Sequence, residues 1–223
     1  MPSSPRENMI LKWETLSLIE RFGNVLYPLD VVDLLRQLPK LGYIVAERVL
    51  RGATLEPGQP LAIKGDVELR INQDNKTLGV VGRDVESVQE AFQNLRQLWM
   101  EQLDPSPNIC TDYVEIDGSG WAKGQRNPIE VFGKWRGGST KIEALGKVLG
   151  FDVTTFGLRL CVPNTDPNSP NWFDIRIAPS VVSSAARYLV RAIWREQEVE
   201  SVMRRFKNLD DTVRDLILEI EKT

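Results

Sequence analysis

The stretch Asp66-Val67-Glu68-Leu69-Arg70-Ile71-Asn72-Gln73-Asp74-Asn75-Lys76-Thr77-Leu78-Gly79-Val80-Val81-Gly82-Arg83-Asp84, with the apolar run that continues to Asp104, decides the fold. Val67, Leu69 and Ile71 alternate with Glu68, Arg70 and Asn72, the two-residue period of a half-buried strand. Gln73 to Lys76 supply turn chemistry, and Thr77 to Val81 form the returning strand of a hairpin that Gly82 ends. From Asp84 the period becomes helical. Val85, Val88, Phe92, Leu95, Leu98 or Trp99, and Leu103 fall on one stripe, with Gln89, Glu90, Gln93, Arg96 and Gln97 largely opposite. The Asp84 carboxylate suits an N-cap, accepting from amides of the first turn. A hairpin feeding a long amphipathic helix requires a sheet for that helix to lie across.

Upstream, Met9 to Phe22 reads as a strand. A short helix follows from Tyr27-Pro28-Leu29-Asp30, capped by Asp30, apolar through Val31, Leu34, Leu35 and Leu38, and stopped by Pro39. Ile44 to Leu50 has strand character, Gly52 to Gln59 is a loop, and Pro60 to Lys64 is a short strand. Downstream, Asp104-Pro105-Ser106-Pro107 is a linker, after which the order restarts. Ile109 to Ile116 reads as a strand, Asp117 to Gly138 as a glycine-rich basic loop, and Ser139 or Thr140 to Leu149 as a helix closed by Gly150. Phe156 to Val162, Phe173 to Ile177, Arg187 to Arg195 and Val199 to Phe206 read as strands. A final helix, capped by Asp210, carries Val213, Leu216, Ile217 and Ile220. The expected organisation is a disordered lead-in over 1–8, a first repeat over 9–104, a linker over 105–108 and a second repeat over 109–223, each repeat running βαββββα.

This order resembles that of the TATA-box-binding protein family. The resemblance is carried by Leu29-Asp30-Val31-Val32-Asp33-Leu34-Leu35, similar to the family's short first helix, and by Val67 to Leu98 through Gly82-Arg83-Asp84, similar to its last hairpin and long helix. It implies an α+β chain whose two repeats form one curved antiparallel sheet, saddle-like, with two long helices on one face. The paired phenylalanines with which that family wedges DNA are not matched, since Leu50 to Lys64 contains none.

With no histidine and only Cys110 and Cys161, Cys/His zinc sites, Cys-His nucleophile pairs and Ser-His-Asp triads are excluded. The two cysteines read as small, half-buried thiols. Asp112, Glu115 and Asp117, or Glu196, Glu198 and Glu200, lack an ordered metal-ligand spacing. The expectation is therefore a non-enzymatic protein without cofactor or metal. No apolar run reaches membrane-spanning length and Met1 to Arg6 lack a signal-peptide core, so the chain is expected in the cytoplasm, away from membranes. The net charge of −3 argues against a general nucleic-acid coat but leaves room for a local basic patch.

If the apolar strand positions face the helices, the intervening ones place Arg48, Arg70, Arg159, Arg176, Arg191, Arg195 and one of Arg204 and Arg205 on an open sheet face, against Glu68 and Asp174. Guanidinium groups take phosphate oxygens in pairs, which suits a polyanion. Trp121, Lys123, Arg126, Lys134, Trp135 and Arg136 interleave aromatic rings with cations in the basic loop, a pattern suited to base stacking beside a phosphate chain. Nucleic-acid binding through the arginine face is the leading expectation. A protein-interaction or regulatory adaptor meeting an acidic protein surface with the same face, and a small-ligand site between the repeats, stay open.

Overall fold

The computed structural model describes residues 9–23, 31–51, 59–102, 110–134, 139–180 and 187–222. Among these, the strands are β1 (Ile10–Gly23), β2 (Ile44–Val45), β3 (Pro60–Lys64), β4 (Val67–Asn72), β5 (Thr77–Gly82), β6 (Cys110–Lys123), β7 (Leu158–Cys161), β8 (Trp172–Pro179) and β9 (Arg187–Glu196). The helices are α1 (Val32–Gln37), α2 (Glu47–Leu50), α3 (Val85–Gln97), α4 (Pro128–Lys134), α5 (Ser139–Leu149), α6 (Val199–Lys207) and α7 (Leu209–Glu221). The chain is thus α+β, with one antiparallel sheet of nine strands in the order β2-β3-β4-β5-β1-β6-β9-β8-β7.

Strand alternation drives one face of this sheet into the core. Leu16, Leu18, Leu69, Val80, Ile116 and Ile177 are fully or almost fully buried beneath Val88 and Phe92 of α3 and Val202 and Phe206 of α6. The Asp84 side chain accepts from the Ser87 amide at 2.8 Å and starts α3 where its sequence placed the cap. Trp13 Nε1 donates to Asp210 Oδ1 at 2.8 Å, tying α7 to β1. None of the described helices is long and apolar enough to cross a membrane.

Several expectations need correction. Within the supposed basic loop α4 occupies Pro128–Lys134, and the strand starting near Ile109 does not stop at Ile116; β6 runs to Lys123. Its glycines disguise it, and they are there because β1 crowds them: a Cβ on Gly120 would sit 2.3 Å from the Lys12 carbonyl oxygen, and one on Gly118 2.9 Å from the Trp13 ring. Ile44 to Leu50 is only two residues of strand before α2. Val199 to Phe206 is helix α6, because Val199, Val202, Met203 and Phe206 recur at helical spacing and pack inward. The sheet therefore lacks that strand, and the final helix, α7, is directly preceded by α6. Asn208 is the N-cap position of α7, and Asp210 lies in its first turn.

The helix near residue 30 begins at Val32, and a 3-10 turn at Leu38–Leu41 ends on Gly42 with φ +82°. Gly150 closes α5 with φ +73°, as its position implies. The lead-in, the Asp30 cap, most of the Gly52 to Gln59 loop and the Asp104 to Pro107 linker lie outside the described residues. Cys110 and Cys161 are exposed rather than half-buried, and no disulfide joins them.

Candidate nucleic-acid interface

The sheet face turned away from α3 and α6 is organised in rows, because antiparallel register sets residues of neighbouring strands side by side. One row runs Arg159, Arg176, Arg191, Ser119, Thr15 across β7, β8, β9, β6 and β1. The next runs Cys161, Asp174, Ile193, Asp117, Ser17 and on to Val81 and Glu68 of β5 and β4. The third runs Trp172, Arg195, Glu115, Ile19, Gly79, Arg70. Arginine rows thus flank an acidic row.

The pairing follows from that layout. Asp174, only 2% exposed, accepts from Arg159 Nε at 2.9 Å and Nη2 at 2.8 Å, and from Arg176 Nη2 at 2.7 Å. Burial alone would push this carboxyl upward, but hydrogen bonds and charge from Arg176 and Arg159 outweigh it and hold the group below its ordinary range. The Arg176 guanidinium is raised in return by the hydrogen bond to Asp174. Two guanidiniums sharing one carboxylate leave a positive charge at this edge, and both remain about half exposed, at 58% and 47%. Arg191 reaches Asp117 at 3.4 Å and is also about half exposed. Arg70 is held by Glu68, with Nη2 to Oε2 at 2.7 Å.

Arg195 plays another part. It pairs with Glu115, lies 4.4 Å from the Tyr113 ring centroid, and donates to the Pro167 and Ser169 carbonyls at 3.1 and 3.3 Å. At 14% exposure it fastens the 163–171 loop rather than offering itself to a ligand. Arg48 is not on a strand at all: it lies on α2 and donates to the Pro60 carbonyl at 3.3 Å. Arg204 and Arg205 belong to α6, where Arg205 pairs with Glu196 and covers Trp194 at 4.3 Å.

Of the residues expected in a basic loop, Trp121 and Lys123 are on β6 and share the open face. Arg187 lies over the Trp121 ring at 4.0 Å, and Lys12 Nζ is 5.8 Å from the same centroid. Arg126 faces elsewhere; its backbone amide donates to Glu221 Oε1 at 3.0 Å and joins the end of β6 to α7. The buried Tyr188 hydroxyl donates to the same oxygen at 2.9 Å, its pKa driven up by burial and by the Glu221 charge. Lys134 ends α4 and is exposed. Trp135 and Arg136 lie outside the described residues. Asp112, Glu115 and Asp117 are taken up by Arg21, Arg195 and Arg191, and among the described residues no three acids or cysteines gather to hold a metal.

The chain's own sequence left two members of this surface unmarked. Arg187 has the parity of Arg191 and Arg195 along β9, a signal that was present. Lys12 was hidden, because a register shift between Trp13 and Thr15 puts Lys12 and Thr15 on one face despite opposite parity. No family model, curated protein or solved structure matches this chain.

Proposed function

We propose that this protein is a non-catalytic nucleic-acid-binding protein that receives the phosphate chain on the open face of its sheet. The observation that carries the reading is the Arg159–Asp174–Arg176 bridge: two half-exposed guanidiniums beside Arg191, with one buried carboxylate between them. Phosphate oxygens can take the outward N–H groups of these arginines without breaking the bridge, since each guanidinium has five donors. The reading extends to the fold: the chain is two like halves in the manner of the TATA-box-binding family. What supports this is the sheet order, which runs outward from a central β1–β6 pair as β5, β4, β3, β2 on one side and β9, β8, β7 on the other, with α3 after β5 and α6 after β9.

The test is binding of the full chain to labelled oligonucleotides across a salt series. Retention at low salt with a steep fall as salt rises is expected, and Arg176→Ala with Arg191→Ala should flatten the logarithmic salt slope by roughly 1 for each phosphate no longer neutralised. No retention at low salt would refute the reading and turn attention to an acidic protein surface as the partner of this face.

A further inference from the structure

Away from the arginine rows, the open face changes character where β1 begins, β6 ends and β9 begins. Lys12, Trp121 and Leu189 stand side by side in one row, and Ile10, Lys123 and Arg187 in the next. Unlike Arg70, Arg159, Arg176, Arg191 and Arg195, the cations here have no carboxylate: among the described residues, Lys12, Lys123 and Arg187 are in no ion pair. Arg187 Nε is buried and has no acceptor, so what holds this guanidinium is the indole face 4.0 Å away. Two apolar side chains lie open among the charges, Leu189 at 44% and Ile10 at 48% exposure.

A surface needed only for solubility would not gather like charges without counter-charges around an exposed leucine, an exposed isoleucine and a half-buried tryptophan. The same combination matches a nucleotide whose base is out of a helix. A base presents a flat π-face to an indole or a guanidinium plane, its sugar meets an aliphatic side chain, and its flanking phosphates meet lysines. A duplex keeps its base faces stacked inside and would use the lysines alone. We infer that Lys12, Trp121, Lys123, Arg187 and Leu189 form a base-stacking subsite, and that the nucleic acid this face takes is single-stranded. The inference rests on the nucleic-acid reading above, and concerns which form of nucleic acid is bound and where the base lies.

The experiment compares the full chain with oligothymidylate, oligouridylate and a mixed-sequence duplex, each of about 15 nucleotides or base pairs. Labelled strands are followed by fluorescence anisotropy at low salt. Both single strands are expected to bind more tightly than the duplex, and Trp121→Leu is expected to weaken single-strand binding about tenfold while leaving duplex binding unchanged, as loss of one stacked base implies. Circular dichroism confirms that the variant is folded. An independent readout on the unaltered protein is photo-cross-linking to a strand carrying 5-bromouracil, with the cross-link expected on the peptide that contains Trp121. Duplex binding as tight as single-strand binding, an unaffected Trp121→Leu variant, or cross-links only to other peptides overturns the inference while leaving the arginine-face reading intact. Failure of all three nucleic acids to bind overturns both.

Discussion

Asn in place of Asp174 keeps the side chain's shape and removes its charge, and should move stability and binding in opposite directions. The carboxylate is almost wholly buried and accepts from Arg159 and Arg176. Charge-assisted bonds of this kind are worth roughly 1.5–3 kcal/mol when fully enclosed. Both guanidiniums are about half exposed and return to water when released, and the amide oxygen still accepts one bond, so the net loss is about 1–2 kcal/mol. For a chain of this length that lowers Tm by roughly 2–8 °C. Because the Asp174 pKa is depressed in the folded state, its contribution is present above the ordinary carboxyl value of about 3.9 and disappears as pH falls through the folded value. Wild type and Asp174→Asn should therefore converge in acid. Binding goes the other way. With two guanidiniums freed, phosphate affinity at low salt rises and the logarithmic salt slope steepens by about 1–2. Thermal unfolding by circular dichroism and anisotropy of a labelled oligonucleotide read the two effects. A variant that is less stable and also binds more weakly at low salt would refute the idea that Arg159 and Arg176 present spare donors to phosphate.

Two further outcomes follow from the core side of the sheet. Gly120→Ala should destabilise by about 1–3 kcal/mol or more, because its methyl would meet backbone atoms of Lys12 and Trp13, whereas Gly118→Ala, which meets only the Trp13 ring and the Leu16 side chain, should cost less; chemical denaturation of both variants checks the order. Glu20, buried and hydrogen-bonded by Thr111 and Arg96, has its pKa raised, with burial as the main cause, so its favourable contribution is complete below 4.5 and is lost as pH rises through the folded value. Glu20→Gln should gain stability relative to wild type as pH rises above 4.5, and a difference that stays constant through that rise would contradict the assignment.

How far the sequence carried can be judged at particular residues. The β4–β5 hairpin and the Asp84 cap were legible because period and turn chemistry agree there over many positions. The inward and outward parity of β8 and β9 was equally plain, and it is what places Arg176, Arg191 and Arg195 on one face. Two kinds of information were not local. Gly118, Ser119 and Gly120 interrupt the alternation of β6 because of what β1 needs, so the strand is visible only once its neighbour is known. Helix α6 has β-branched residues at inward positions, which imitate a strand over a short window. At the site, Asp174 with Arg176 and Glu68 with Arg70 were readable as same-face neighbours two residues apart. The reach of Arg159 to Asp174, of Arg191 to Asp117 and of Arg195 to Glu115 depends on cross-strand register, which no single segment contains.

The central β1–β6 pairing sets the schedule by which the chain can be completed. Ile10 lies opposite Lys123 and Gly23 opposite Cys110, so one hydrogen-bonding edge of β1 stays unsatisfied until β6, which follows β2 to β5 and α3 in the chain, has been synthesised. Pairings so distant along the chain carry a large loop-closure cost and slow the final closure. During that interval β5 can already protect the other edge of β1, making the earlier hairpin and α3 a template on which the later strands assemble.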